Sequence, residues 1–157
     1  ERIGIEYPVF QAGMGFVARG ALAGAVSEAG GLGVIGAGSN MTRDEIKTEI
    51  DAVRAITDKP FGVDILFATV RAEGEVAAKY TEAVQEMVDV VIEEKVPVLI
   101  SGLGSPKDAV PAAHAAGIAP LAVPASMANF RDAEEMESAA GLGLWAAMPC
   151  IRCRSKS

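Results

Sequence analysis

Short apolar runs alternate with longer amphipathic segments along the first 123 residues. The runs cover residues 8–10, 32–35, 61–67, 96–100 and 118–123. They have the length of buried strands rather than helices, and Gly or Pro residues lie beside them. The pattern therefore predicts five strands.

The segments between these runs have helical periodicity. Residues 19–29 place Leu22 and Val26 on one face, and apolar residues recur at similar spacing farther along the chain. Thr42, followed by Glu45, forms a capping-box signature for the second helix. The predicted helices are residues 19–29, 42–56, 76–94, 107–116 and 130–139, and the polar residues 68–75 are predicted to form a loop.

A helix that connects one strand to the next allows the two strands to be parallel, so the sequence predicts an α/β fold. The spacing resembles the units of a (β/α)8 barrel, in which eight units fill about 250 residues. Five units are either a whole doubly wound domain or a partial TIM barrel. We expect residues 1–140 to form the barrel part and residues 141–157 an irregular tail, disordered from residue 152.

Composition narrows the class of ligand. The chain has 157 residues, of which 50% are apolar, so it can bury a core. Its net charge of −7, without clustered Lys and Arg, argues against a nucleic-acid partner. The sequence lacks both an apolar run long enough to span a membrane and a signal-peptide pattern at its start. We therefore expect a cytoplasmic protein with a small-molecule ligand, and the missing initiator Met fits a fragment or a processed product.

Metal and redox chemistry find little support in the sequence. Cys150 and Cys153 form a C-x-x-C pair in the tail, but they do not follow a strand at the start of a helix. A zinc site would need two further ligands, and His114 is the only histidine. We expect no metal site.

Glycines follow three of the predicted strands, at residues 13–15, 36–38 and 102–104. Parallel strands end at one edge of a sheet, and small residues there let the backbone lie against a flat ligand, as an isoalloxazine ring would require. The alternative is that these glycines only turn the chain. Residues 31–36 also match G-x-G-x-x-G, but here the glycines run through a strand instead of leaving it, so a dinucleotide site is disfavoured.

Asp64 is the single charged residue in the third apolar run. A carboxylate costs several kcal/mol when it is buried without partners, so Asp64 is predicted to face solvent or a ligand. A receiver-like phosphoacceptor domain would place a carboxylate there too. That class also needs an acidic pair after the first strand and a Lys after the fifth, and the chain has neither.

The residues around these strands carry a family resemblance. Residues 5–15, 22–38, 58–64 and 91–104, within one register from residue 3 to 123, closely resemble nitronate monooxygenases, formerly called 2-nitropropane dioxygenases. The flavin-dependent enoyl-acyl-carrier-protein reductase of some bacteria has a similar opening segment. The resemblance implies an FMN-dependent TIM barrel that oxidises alkyl nitronates with O₂.

The resemblance also implies which residues meet the flavin. By position these are Ala12, Gly13, Met14, Asp64, Ser101 and Gly102. Many relatives have Asn in place of Asp64, and an ionised Asp accepts hydrogen bonds but cannot donate them. The catalytic His of the family follows its sixth strand, and residues 140–157 contain no counterpart, so the catalytic base is unknown.

These observations predict about five of eight units of a nitronate monooxygenase, with activity in doubt for the chain by itself. The alternatives are the enoyl reductase and a non-enzymatic small α/β binding domain. An incomplete barrel would expose a strand edge and its apolar interior, so we also expect self-association.

Overall fold

A four-stranded parallel sheet lies at the centre of the chain. The structure is a computed structural model, and it describes residues 3–38, 41–67, 69–70, 79–104 and 106–122. Strands β1 (Gly33–Ala37), β2 (Phe61–Leu66), β5 (Val98–Leu103) and β6 (Ala119–Ala122) pair in the order β1-β2-β5-β6. A separate antiparallel pair joins β3 (Thr69–Val70) to β4 (Lys79–Tyr80).

Within the described residues, four helices accompany the sheet: α1 (Gly20–Glu28), α2 (Arg43–Arg54), α3 (Glu82–Glu93) and α4 (Val110–Ala115). The α/β class and the parallel sheet are therefore confirmed. The strand order advances in one direction, as in a barrel, whereas a doubly wound domain reverses its order at a switch point. Closure into a barrel remains a prediction.

The predicted first strand is reduced to a single parallel bridge between Phe10 and Leu32. The Leu32 N–H donates to the Val9 carbonyl at 2.8 Å, and the Gln11 N–H donates to the Leu32 carbonyl at 3.0 Å. Pro8 has no N–H, and the Val9 N–H bonds locally to the Tyr7 carbonyl, so the ladder does not extend backwards. The predicted partner is correct, but a regular strand over residues 8–10 is not formed.

Side chains of the sheet alternate between two buried faces. One face carries Ile35, Val63, Ile65 and Leu99, which pack against the helices. The other face carries a second apolar cluster, whose buried members are Leu32, Val34, Val98, Ile100 and Leu121. These five residues are 0–6% exposed, and Ile3 and Ile5 pack against them. The expectation of an exposed apolar interior is therefore wrong for these residues, while self-association stays a prediction.

Helix α1 is held by neighbouring elements rather than by its own cap. The carboxylate of Glu49 on α2 accepts from the Gly20 N–H at 2.6 Å, because Arg19 offers no capping side chain. At the other side, the Gly33 N–H donates to the buried Ser27 hydroxyl at 3.0 Å. A Cβ at Gly33 would lie 1.8 Å from the Ala23 carbonyl oxygen, so α1 packs directly on the backbone of β1.

Two helices begin later than predicted. Helix α3 starts at Glu82, because the Thr81 hydroxyl caps it by accepting from the Val84 N–H at 3.3 Å. The predicted helix over residues 76–94 is therefore wrong where β4 lies. The predicted loop over residues 68–75 is wrong where β3 lies. Helix α4 starts at Val110 after a turn over residues 107–109, with Pro111 in its first turn.

Several predictions fall on residues that the structure does not describe. They are the helix at 130–139, the bounds of the two domains, the disorder after residue 152 and the Cys150–Cys153 pair.

The contact between Ser27 and Gly33 predicts a stability change. Ser27→Ala would leave the buried Gly33 N–H without its acceptor, and we expect a loss of about 1 to 3 kcal/mol in the free energy of unfolding. Urea denaturation of the 157-residue chain measures this. Thr48→Ala, which removes an exposed hydroxyl bonded to the Asp44 carbonyl, is the control and should shift stability by about 0.5 kcal/mol at most. Equal effects for both variants would contradict the prediction.

Candidate active site at the carboxyl ends of the strands

Asp64 lies near the end of β2, in register with Gly36 on β1 and Ile100 on β5. Alternation along the strands places its side chain on the same face of the sheet as Ile100, which is the face that does not pack against the helices. Glycines flank the carboxylate on both sides. A Cβ at Gly13 would lie 2.2 Å from Oδ2, and one at Gly102 would lie 2.7 Å from both oxygens. Any larger residue at these two positions would displace Asp64.

The Asp64 carboxylate is poorly compensated. Oδ1 is buried and has no hydrogen-bond partner within the described part of the chain. Burial raises the pKa of Asp64 to about 6, and the Gly102 amide opposes that rise only in part. The adjacent elements, residues 12–15, β1 and β5, carry no charged side chain. A buried acceptor without a partner at a strand end is the arrangement expected where a ligand completes the hydrogen bonding.

Residues 12–15 cross the end of β1. A Cβ at Gly36 would lie 2.8 Å from the Gly15 nitrogen and 3.0 Å from the Met14 nitrogen, so only glycine allows this crossing. The Met14 side chain is 43% exposed beside it. The backbone of this loop therefore forms the outer surface at the end of the sheet.

Two further glycines at this edge have no internal explanation. Gly15 and Gly38 have no described atom within 4 Å of the position of a Cβ, and neither has a left-handed φ. Neither packing within the described residues nor backbone conformation requires glycine there. Open space beside bare backbone is consistent with a bound group. We call Gly13, Gly15, Gly36, Gly38 and Gly102 the glycine rim.

Large apolar side chains are exposed next to the glycine rim. Phe16 is 90% exposed and Leu103 is 54% exposed, and Val17 and Leu66 are also accessible. Soluble surfaces rarely gather several such side chains without a binding role. The edge is therefore apolar around one poorly compensated carboxyl group.

Gln11 is a site residue to which the sequence analysis gave no role. Its Nε2 donates to the Val34 carbonyl at 3.1 Å, and its Oε1 accepts from the Val34 N–H at 3.1 Å. Nε2 also contacts the Ala12 carbonyl. The only signal in the sequence is a residue with both a donor and an acceptor directly after an apolar run.

The six predicted ligand contacts divide into two groups. Gly13 and Gly102 each lie against Asp64, with Met14 and the exposed Ala12 on either side of Gly13 in the chain. Ser101 is buried and lies on the helix-facing side with Leu99, and its hydroxyl donates to the Gly104 carbonyl at 3.0 Å. The structure thus assembles five of the six residues at one edge, and their roles remain predictions.

Comparison with known protein families decides the class. The family model described as nitronate monooxygenase matches residues 1–140. The chain belongs to the nitronate monooxygenase family. Members of this family are oxidoreductases and are in general flavin-dependent.

Individual relatives support this membership. The (3aS,4S,5R,7aS)-5-hydroxy-7a-methyl-1-oxo-octahydro-1H-indene-4-carboxyl-CoA dehydrogenase of Mycobacterium tuberculosis is 40% identical over 118 residues, which are 69% of this chain and 33% of the relative. A protein of Staphylococcus aureus named as a probable nitronate monooxygenase is 32% identical over 133 residues, 70% of this chain and 37% of the relative. The chain thus spans about a third of the length of these nitronate monooxygenase-family relatives.

A solved structure of another protein has a similar fold. FabK from Thermotoga maritima superposes with a TM-score of 0.74 at 36% identity, over 86% of this chain and 39% of that chain. FabK is a TIM-barrel enzyme, which agrees with the one-directional strand order.

The described residues do not support two other classes of site. Among the residues with described positions, no three His, Cys, Asp or Glu side chains are grouped as metal ligands require. None of the described helices has the length and apolar character needed to cross a bilayer.

The pKa of Asp64 predicts how stability depends on pH. Its pKa is higher in the folded chain than the ordinary 3.8, so folding favours the protonated form. Stability should fall as pH rises from about 4 to 6, by about 2 to 3 kcal/mol, and stay lower above that range. Asp64→Asn should remove this fall and be the more stable chain at pH 7.

Urea midpoints between pH 4 and 8 provide the measurement. Asp51→Asn, an exposed carboxylate on α2, is the matched control and should retain the slope of the unmodified chain. A slope that Asp64→Asn leaves unchanged would show that Asp64 is not its source.

Proposed function

We propose that the glycine rim and Asp64 bind the isoalloxazine ring of FMN, and that the protein oxidises alkyl nitronates with O₂. The observation that carries the proposal is the unpartnered Oδ1 of Asp64, which Gly13 and Gly102 flank, at the edge of the sheet where the faces of Gly15 and Gly38 are open. Family membership supports the cofactor class, because nitronate monooxygenases are in general flavin-dependent.

The described residues fit a flat heteroaromatic ring. An isoalloxazine has apolar faces and an edge that carries both an N–H donor and carbonyl acceptors. Asp64 supplies an acceptor for the N–H, and the Gly13 N–H, which has no described partner, supplies a donor. Met14 offers a polarizable side chain for packing beside the ring.

FMN, when bound, would take electrons from the substrate and deliver them to O₂. The chain itself would orient the ring through the glycine rim and exclude water through the apolar residues near it. A nitronate is already deprotonated at the carbon beside its nitro group. The described residues therefore do not have to supply a base for that step.

A second candidate function is hydride exchange with an acyl thioester. It is favoured by the 40% identity to a mycobacterial dehydrogenase whose substrate is a carboxyl-CoA, and by the exposed apolar side chains of Phe16 and Leu103, which suit a hydrocarbon substrate. The two candidates share the flavin and differ in the substrate.

Flavin binding is the first test of the proposal. The 157-residue chain should quench FMN fluorescence, and Gly15→Leu should weaken the affinity about tenfold or more by filling the open face, without changing the urea midpoint. Ala25→Leu introduces the same side chain at an exposed position of α1 and should leave the affinity unchanged. If FMN does not bind, or if both leucines act alike, the proposed site is wrong.

The reaction is tested on the FMN-loaded protein in an oxygen electrode. We expect O₂ uptake with propyl-2-nitronate and none with an acyl-CoA. The converse, reduction of an artificial electron acceptor by an acyl-CoA without nitronate oxidation, would replace the proposed function by the second candidate. Activity with neither substrate would contradict both.

A further inference from the structure

The ladder between the first strand and β1 ends in an unusual way. Phe10 pairs with Leu32 through two parallel-type hydrogen bonds, from Leu32 to Val9 and from Gln11 to Leu32. In a regular parallel ladder, the next two bonds would join the Val34 N–H to the Gln11 carbonyl and the Gly13 N–H to the Val34 carbonyl. Neither bond is formed among the described residues.

The side chain of Gln11 makes both of these bonds instead. Its Oε1 takes the place of its own backbone carbonyl, and its Nε2 takes the place of the Gly13 N–H. Val34 is only 2% exposed, so its two backbone groups need partners inside the protein. A carboxamide carries a donor and an acceptor together, and it can therefore complete the ladder without any further backbone.

The consequence is that the backbone after Gln11 is released from the sheet. Residues 12–15 rise across Gly36 and place Gly13 against the Asp64 carboxylate. The Gly13 N–H, which the ladder would otherwise consume, has no described partner. The loop leaves the sheet at the position where the proposed ring would lie.

We propose that Gln11 is a positioning residue, whose carboxamide substitutes for a strand residue and so holds loop 12–15 in its ligand-binding conformation. The inference rests on the proposed flavin site and assigns the loop's preorganisation to one side chain. The apparent affinity for a ligand that requires this conformation is the intrinsic affinity multiplied by the fraction of molecules that keep the conformation.

Gln11→Met keeps the length of the side chain and removes both hydrogen bonds. We expect the FMN affinity of the 157-residue chain to fall about tenfold or more, because Val34 must then recruit other partners. Gln85→Met removes an exposed carboxamide that bonds to Asp89 on α3, and it should leave the affinity unchanged. Wild-type affinity in Gln11→Met would overturn the proposal.

Gln11→Glu separates positioning from a general loss of stability. A protonated Glu can donate and accept, as Gln does, whereas an ionised Glu can only accept. Its affinity, divided by that of the unmodified chain at the same pH, should rise toward one as the pH falls below the ordinary Glu pKa of about 4.3 and should be much lower at pH 8. Among the described residues, Asp64 is the titratable group in contact with this loop, and because both chains contain it, the ratio removes the part of its contribution that they share. A pH-independent ratio would overturn the proposal.

Amide hydrogen exchange distinguishes failure of this inference from failure of the proposed function. In Gln11→Met the amides of Val34 and of residues 12–15 should exchange faster than in the unmodified chain, while those of α3 stay unchanged. Unchanged exchange at Val34 overturns the role of Gln11, whether or not FMN binds. Faster exchange in a chain that does not bind FMN overturns the flavin site and retains the role of Gln11 in shaping the loop.

Discussion

The close approach of Gly13 and Gly102 to the carboxylate of Asp64 is the contact on which the candidate site depends. It brings the ends of three neighbouring segments together at one edge, because neither glycine position has room for a Cβ. It also removes water from an acidic group that has no charged neighbour on the adjacent elements. The resulting site is closely packed around the carboxylate and incomplete in its hydrogen bonding, and a ligand can supply the missing hydrogen bond.

The packing of the sheet positions the strand ends that form this edge. Its two apolar faces are buried, and α1 is fastened to β1 through Ser27 and to α2 through Glu49. The parallel strands therefore end at one edge of the sheet, where the loops that follow them lie close together. Gln11 also helps to position this edge, because its side-chain amide completes the ladder and lets the backbone leave the sheet at a defined residue.

Periodicity was enough to predict the parallel sheet and the unusual position of Asp64. It was wrong about the face of α1, because the buried residues of that helix are Gly20, Ala23, Gly24 and Ser27, whereas Leu22 and Val26 are only partly buried. It failed at the start of α3, where Tyr80 looked like part of the apolar stripe and the cap at Thr81 decided otherwise. Ser101 was assigned to the ligand by resemblance, but strand alternation turns its side chain toward the helices. Gln11 could not be assigned a role from the sequence, because its partner Val34 is 23 residues away and pairing is a tertiary property.

In the proposed site, a ring N–H completes the hydrogen bonding of Asp64. The most direct measurement is ¹³C NMR titration of the Asp64 side-chain carboxyl in the 157-residue chain, with and without oxidised FMN. We expect a pKa of about 6 without FMN and a lower pKa with it, because a donated hydrogen bond favours the ionised form. An ordinary aspartate pKa in the free chain, or a titration that FMN leaves unchanged, would contradict it.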